Sequence, residues 1–492
     1  MRFLVPRGTR VAASAAARAY LAGIDEIPWQ TRVRWNDDEL VVERAEFDSG
    51  NFFIPYAVEG HGELVLSTGS LMERGRPYHL QVELARGTLN RLRNQVALWE
   101  SMGVQVPAKL GACLAAAHEH LSRATTCQHE RDEAAKQADL AIQAALDGIW
   151  LLNDAYVAQA LAARHQQTGK LGTLLGVNLG GALPADPMAR QLTAAFNTVQ
   201  VPLSWRDIEA REGTRDWTLC DQQIEWCRAS ELKICGGPLL AIDKWSLPDW
   251  MYLWGEADME SFRSCVAEHI QAVVSRYQGK VQLWLCAARL NVENDFGHGE
   301  DERLRLAVLA IERIRRYDPR SPIVLAIDQP WGSFMSRKEY DLSPLHFADA
   351  LVRADLGLAG IGLEINFGYA PGGSEPRDPI EFGRQIDRWS TLGLPLLVTL
   401  VVASASSPDP QARRSDQVVA YAPDELSAAT QRAWCEQYLP VLLAKQPVQG
   451  IIWNQLSDSQ PHALAHGGLF DEKDEPKPIV EVLEKLRREH LA

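Results

Sequence analysis

Four carboxylates, Asp243, Glu293, Asp328 and Glu364, sit at or just beyond the ends of apolar runs, among amides and indoles. Two carboxyl groups at a suitable spacing, one protonated and one ionised, can give and take a proton on a bound substrate. Around them in the same positions stand Trp205, Lys244, Trp245, Trp250, Arg289, Asn291, Trp331, Asn366, Trp453 and Asn454. Indoles offer flat apolar faces, and amides and carboxylates offer hydrogen bonds, so the mixture suits a hydroxyl-rich ligand. It suits phosphates and metals poorly. The chain has no glycine-rich phosphate loop, no CxxC pair among its eight cysteines and no HExxH spacing, so no metal or cofactor is expected.

Those positions follow from the elements that must carry them. From residue 169 onward, eight nearly continuous apolar runs alternate with amphipathic helical patterns: "LGTLLGVNLG", "NTVQVPLSW", "LKICGGPLLAI", "VQLWLCAARLN", "PIVLAIDQP", "GLAGIGLEINFG", "PLLVTLVVASA" and "VQGIIWNQLSD". Strands apolar on both faces are expected where helices cover a closed parallel sheet. Eight such units over roughly 320 residues make an α/β fold, a (β/α)8 TIM barrel over 169–492, and a barrel places its working residues at the C-terminal strand ends.

Two segments precede the barrel. Residues 1–85 hold short alternating runs such as "TRVRWNDDELVVERA" and "GELVLSTGSLM", which read as a β-sandwich-like domain, either a sugar-binding accessory or a structural cap. Residues 86–168 turn to three- and four-residue apolar spacing, a helical segment linking the two. The 492 residues are 46% hydrophobic and 23% charged, with a formal net charge of −14. That balance disfavours nucleic acid and anionic membrane surfaces as partners. No apolar run is long enough for a membrane span, and the start of the chain lacks a secretory pattern, so a soluble cytoplasmic protein is expected.

Several stretches, taken in order, resemble the family-10 glycoside hydrolases, the xylanase family. "FNTVQVPLSWRDIEAREGTRDWTLCDQQIEWCRASELKICGG" is similar to that family's run from second to third strand. "AIDKWSLPDWM", "VVSRYQGKVQLWLCAARLN", "GIGLEINF", "GIIWNQLSDSQ" and "GGLFDEKDEPKPIVEVLEKL" follow in the family's order. The resemblance implies a retaining glycosidase barrel. One glutamate at the end of the fourth strand would protonate the leaving oxygen, and another at the end of the seventh would attack the sugar carbon, about 5–5.5 Å away.

Carried over residue by residue, the resemblance puts Ala288 and Arg289 in the place of the family's Asn-Glu, and Leu400 in the place of the nucleophile. Arginine stays charged and cannot donate a proton, and leucine has no nucleophilic atom. Neither "LCAARL" nor "LVTLVVA" contains a glutamate. Of the sugar-holding positions, the resemblance retains Trp205 and Trp453, while Pro238 and Asp243 replace two histidines and Glu364 and Asn366 replace a Gln-x-His.

Three readings follow. One is a carbohydrate-binding barrel that has lost the family's acid/base and nucleophile, with an acidic glycan as its sharper version because Arg289 and Lys244 are cationic. Another is an active glycoside hydrolase with relocated carboxylates, Glu364 with Asp243, Asp328 or Glu293. The third is a structural or interaction protein working through its N-terminal segments. Oligomeric state is not legible.

Overall fold

The computed structural model describes residues 1–6, 11–12, 14–253, 259–414, 416–419, 421–422 and 424–492. All eight expected strands form: β1 (Leu174–Asn178), β2 (Thr198–Val201), β3 (Lys233–Gly236), β4 (Leu283–Ala288), β5 (Ile323–Asp328), β6 (Gly360–Phe367), β7 (Leu396–Val402) and β8 (Val448–Trp453). They pair in parallel in chain order, and β8 closes on β1, so the sheet is a complete barrel.

Because side chains alternate along a strand, each strand has one face in the barrel and one under the helices. On β5, Ile323, Leu325 and Ile327 join the large core beneath the helices, while Val324 and Ala326 fill the barrel interior with Cys235, Leu285, Leu397 and Ile452. The interior is narrow enough to need small residues opposite large ones. A Cβ on Gly450 would meet Leu397 Cδ1 at 2.4 Å, and one on Gly176 would meet Ile452 Cδ1 at 2.7 Å. Leu397 and Ile452 therefore plug the barrel floor, and ligand access is left to the C-terminal mouth.

Two small sheets make the N-terminal part, the first mixed because Arg2–Leu4 pairs in parallel with Tyr78–His79, the second antiparallel. One orders Thr31–Asn36, Glu39–Arg44, Arg2–Leu4 and Tyr78–His79, and the other Tyr20–Ala22, Asn51–Val58 and Gly62–Ser67. Phe3 of the first stacks on Phe52 of the second at 4.7 Å, so the sheets face each other. Three helices follow, α1 (Leu80–Ser101), α2 (Leu110–Thr126) and α3 (Arg131–Thr168). A single apolar core runs from Phe3, Phe52 and Leu66 through Leu84 and Leu92 to Ala138 and Ile149. Strands and helices thus pack as one body, with the first helix starting at Leu80. Farther along α3, Val157 and Leu161 enter the barrel's own core.

The seam between this body and the barrel is polar and closed. It centres on residues 374–378, between β6 and the helix Pro379–Ser390. Val65 N donates to Pro376 O at 2.7 Å, extending the sheet edge onto the barrel loop. Arg91 Nη2 meets Asp378 Oδ2 at 2.5 Å, and Arg377 Nη2 donates to Tyr20 Oη at 2.7 Å. Arg18 bridges Glu63 and Glu375, each at 2.7 Å.

Candidate functional site

The barrel mouth holds a cavity of about 950 Å³. Its floor is a ring of inward-facing polar residues at the strand ends: Asn178 of β1, Gln200 of β2, Asp328 of β5, Glu364 of β6, Thr399 of β7 and Asn454 after β8, with Arg289 after β4. Asn178 Nδ2 donates to Asn454 Oδ1 at 3.1 Å. Gln200 Nε2 donates to Gly237 O at 3.0 Å, while its buried Oε1 has no hydrogen-bond partner among the described residues.

Arg289 organises the charge. It takes a left-handed backbone conformation, φ +62°, where β4 ends. Its Nη2 meets Asp243 Oδ2 at 2.9 Å, and its Nη1 lies 3.7 Å from Glu364 Oε2. Asp328 and Glu364 are register neighbours on adjacent strands, so their carboxyls stand side by side in the cavity wall. Asn291 fixes the end of β5: its Oδ1 accepts from Asp328 N at 2.9 Å and its Nδ2 donates to Asp328 O at 2.8 Å.

The carboxyls divide electrostatically. Burial pushes Asp243 upward, but the Arg289 charge and hydrogen bonds from Ser246 and Trp245 outweigh it and hold this carboxyl below the usual range. Burial raises Glu364, opposed by Arg289 and reinforced by Asp328. Burial likewise raises Asp328 against the pull of Arg414 and Arg289. Burial works against the charge on Arg289 too, but its three carboxylate neighbours prevail and raise its pKa. The site therefore pairs an ionised Asp243 with two carboxyls biased toward their neutral forms.

Several positions proposed from sequence lie elsewhere, and these are corrections. Leu400 faces outward into the helix-covered core, because the inward residues of β7 are Leu397, Thr399 and Val401. Thr399 is the residue of that strand that reaches the cavity, and one step of register separates the two. Trp453 shares the outer face with Leu400, its register partner, and its Nε1 donates to Gly467 O at 2.9 Å. Trp331 is buried edge-on to Phe382. Trp250 Nε1 donates to Glu209 O at 2.8 Å. Asn366 is buried at the top of β6, and like Asn291, Trp250, Trp331 and Trp453 it does not line the cavity.

Trp205 does touch the cavity, but its ring stacks on buried His269 at 4.6 Å and its Nε1 donates to Glu209 Oε2 at 3.1 Å, so it serves mainly as core. Burial lowers His269 to about 3, which keeps it neutral under that ring. Glu293 lies on the cavity rim and pairs with Lys338, away from Glu364. Asp243, Lys244, Trp245, Arg289, Asp328, Glu364 and Asn454 all line the cavity.

Gln200, Thr399, Phe334, Tyr340, Arg413 and Arg414 complete the wall. The first two carried a signal, each a polar residue between two aliphatic ones, Gln200 in "VQV" and Thr399 in "VTL". The rest are loop residues whose convergence only the fold supplies. Among the described residues, no group of three His, Cys, Asp or Glu could hold a metal ion, and no helix is long and apolar enough to cross a membrane.

Comparison with known proteins agrees with the barrel's first half. Residues 161–288 match the family model "Glycosyl hydrolase family 10". This stretch is similar to that family. The family-10 match runs through β1 to β4 and stops at Ala288, one residue short of Arg289. Endo-1,4-beta-xylanase C of Paenibacillus barcinonensis is 29% identical over 108 residues, which is 20% of this chain and 10% of that protein. The chain thus spans about a tenth of that curated relative. Among solved structures, xylanase 10B from Thermotoga petrophila in complex with xylobiose is 18% identical, covering 66% of this chain and 96% of that one at a TM-score of 0.48. Xylanase 10B from Thermotoga maritima, also 18% identical, covers 68% and 98% at a TM-score of 0.48. The likeness to family 10 in sequence thus covers the strands β1 to β4.

Proposed function

We propose that the barrel mouth binds an oligosaccharide without the family's double-displacement chemistry. The observation that carries this reading is the side chain at the end of β4. A guanidinium occupies the place the family resemblance gives to the proton donor, and it is tied to Asp243 and Glu364. The residue of β7 that lines the cavity is Thr399, so that strand brings no carboxylate to it. Arginine cannot donate a proton at useful pH, and losing one member of a cooperating catalytic pair removes orders of magnitude in rate.

The cavity keeps what a sugar needs. Asn178, Gln200, Thr399 and Asn454 offer hydrogen bonds, and the unpartnered Gln200 Oε1 favours a hydroxyl donor, since a buried acceptor left unmade is costly. Phe334 and Tyr340, edge to face at 4.8 Å, give the wall an aromatic surface. Xylo-oligosaccharides are the first ligands to try, given the xylanase relatives.

A second reading has its own support. The division between Asp243, held below the usual carboxylate range, and Glu364 and Asp328, raised above it by burial, is the polarity an acid–base pair requires. One measurement separates the readings: hydrolysis of a broad panel of glycans and aryl glycosides by wild type and by Glu364→Gln, with calorimetric titration of xylo-oligosaccharides alongside. Saturable binding with no turnover supports the binding protein. Turnover in wild type that disappears in Glu364→Gln would establish the relocated-carboxylate enzyme instead.

A further inference from the structure

Lys244 and Arg413 come to the cavity from loops after β3 and β7, opposite strands of the barrel. They meet over one ring. Lys244 Nζ lies 5.0 Å from the centroid of Trp245, and Arg413 Cζ lies 5.5 Å from it. The two positive charges therefore stand within roughly one screening length of each other at 0.1 M salt. Among the described residues, neither side chain makes an ion pair or donates a hydrogen bond.

That is unusual in a chain with a net charge of −14, where carboxylates are plentiful. The nearby acids are engaged otherwise. Asp243 is held by Arg289, and Asp295 Oδ2 accepts from the backbone N of Lys244 at 2.6 Å. Arg414, next in sequence to Arg413, is neutralised by Asp416 at 2.8 Å. The ring explains where the two cations sit, since cations are drawn to indole faces. It leaves their N–H donors, three on the ammonium and five on the guanidinium, without a partner among the described residues.

We propose that Lys244 and Arg413 form a subsite for the carboxylate of an acidic sugar, a uronic acid unit on an oligosaccharide whose neutral rings lie on the polar floor below. The inference rests on the oligosaccharide-binding reading and names its substrate class. Arg289, whose charge suggested an acidic ligand from sequence, is already balanced by Asp243 and Glu364. Arg413 takes over that part. A carboxylate between the two cations would relieve their repulsion and gain charge-assisted hydrogen bonds from both.

The test is calorimetric titration of the full chain with xylotriose and with xylotriose bearing one glucuronic acid, in wild type and in Lys244→Gln/Arg413→Gln. Both substitutions are at exposed positions, and a melting curve checks that the variant folds. The expected result is about tenfold tighter binding of the acidic ligand by wild type. In the variant the two affinities should become equal. Equal affinities in wild type, or a preference that survives both substitutions, would overturn the carboxylate subsite and leave oligosaccharide binding standing. If neither ligand binds wild type, the underlying reading falls, and the subsite with it.

Discussion

Two clusters of buried charge lie within this molecule, and they are built differently. At the seam, Arg91 and Asp378 meet at 2.5 Å with side chains 7% and 0% exposed, and Asp378 also caps the helix Pro379–Ser390 by accepting from Glu381 N at 3.0 Å. At the mouth, Arg289 and Asp243 meet at 2.9 Å with side chains 27% and 29% exposed, and the reach to Glu364 is a loose 3.7 Å. The seam charges are enclosed by two packed bodies. The mouth charges border an open cavity. Buried charge alone is therefore a poor sign of function, because a sealed pair is architecture; charge facing solvent-filled space beside neutral-leaning carboxyls is what a ligand can use.

The largest expected effect comes from breaking the sealed pair. Asp378→Ala should cost about 3–5 kcal/mol in chemical denaturation, because it strands Arg91 in a closed interface and removes a helix cap. A loss under about 1 kcal/mol would mean the seam is wetter than its geometry indicates.

Strand parity at β7 is tested next. Leu400→Gln should destabilise by about 3 kcal/mol, since it puts an amide into the apolar layer under the helices, whereas Thr399→Gln should stay within about 1 kcal/mol because it points into the cavity. Equal losses would refute the assignment of faces.

Smallest is the effect of opening the mouth pair. Arg289→Met should cost about 1 kcal/mol near neutral pH, discounted for the solvent that reaches it. Its pH dependence carries the information. Asp243 is held below the ordinary carboxylate range, so its contribution is present above its unfolded pKa and lost as pH falls through the lower folded value. The gap between wild type and variant should thus be widest near neutrality and close in acid. Glu364 and Asp328, raised by burial, act in the opposite sense, favouring the fold at low pH and losing that contribution as pH rises through their folded values. Arg289 opposes those upward shifts, so its coupling to these two also fades as they protonate, and a gap that failed to close in acid would show that the arginine acts through packing and not through charge.

Much of this was legible in the chain itself. Eight apolar runs separated by amphipathic helices specify a barrel because strands covered on one side and packed inside on the other have no polar face to show. The absence of glutamate from "LCAARL" and "LVTLVVA" is likewise a property of the sequence. The side chain that stands at each strand end is not. In a strand such as Leu396–Val402, where a single threonine interrupts an apolar run, no alternation marks the inner face, so a reading off by one residue exchanges Thr399 for Leu400 and turns Trp453 from a ligand face into core. Long loops add a second gap. Arg413 and Trp245 are 168 positions apart, and nothing local brings them together; closure of the sheet does, by setting the loops after β3 and β7 across one mouth. Composition and periodicity chose the scaffold, because burial is a sum over many residues. The site was chosen by parity and closure, which turn on single positions.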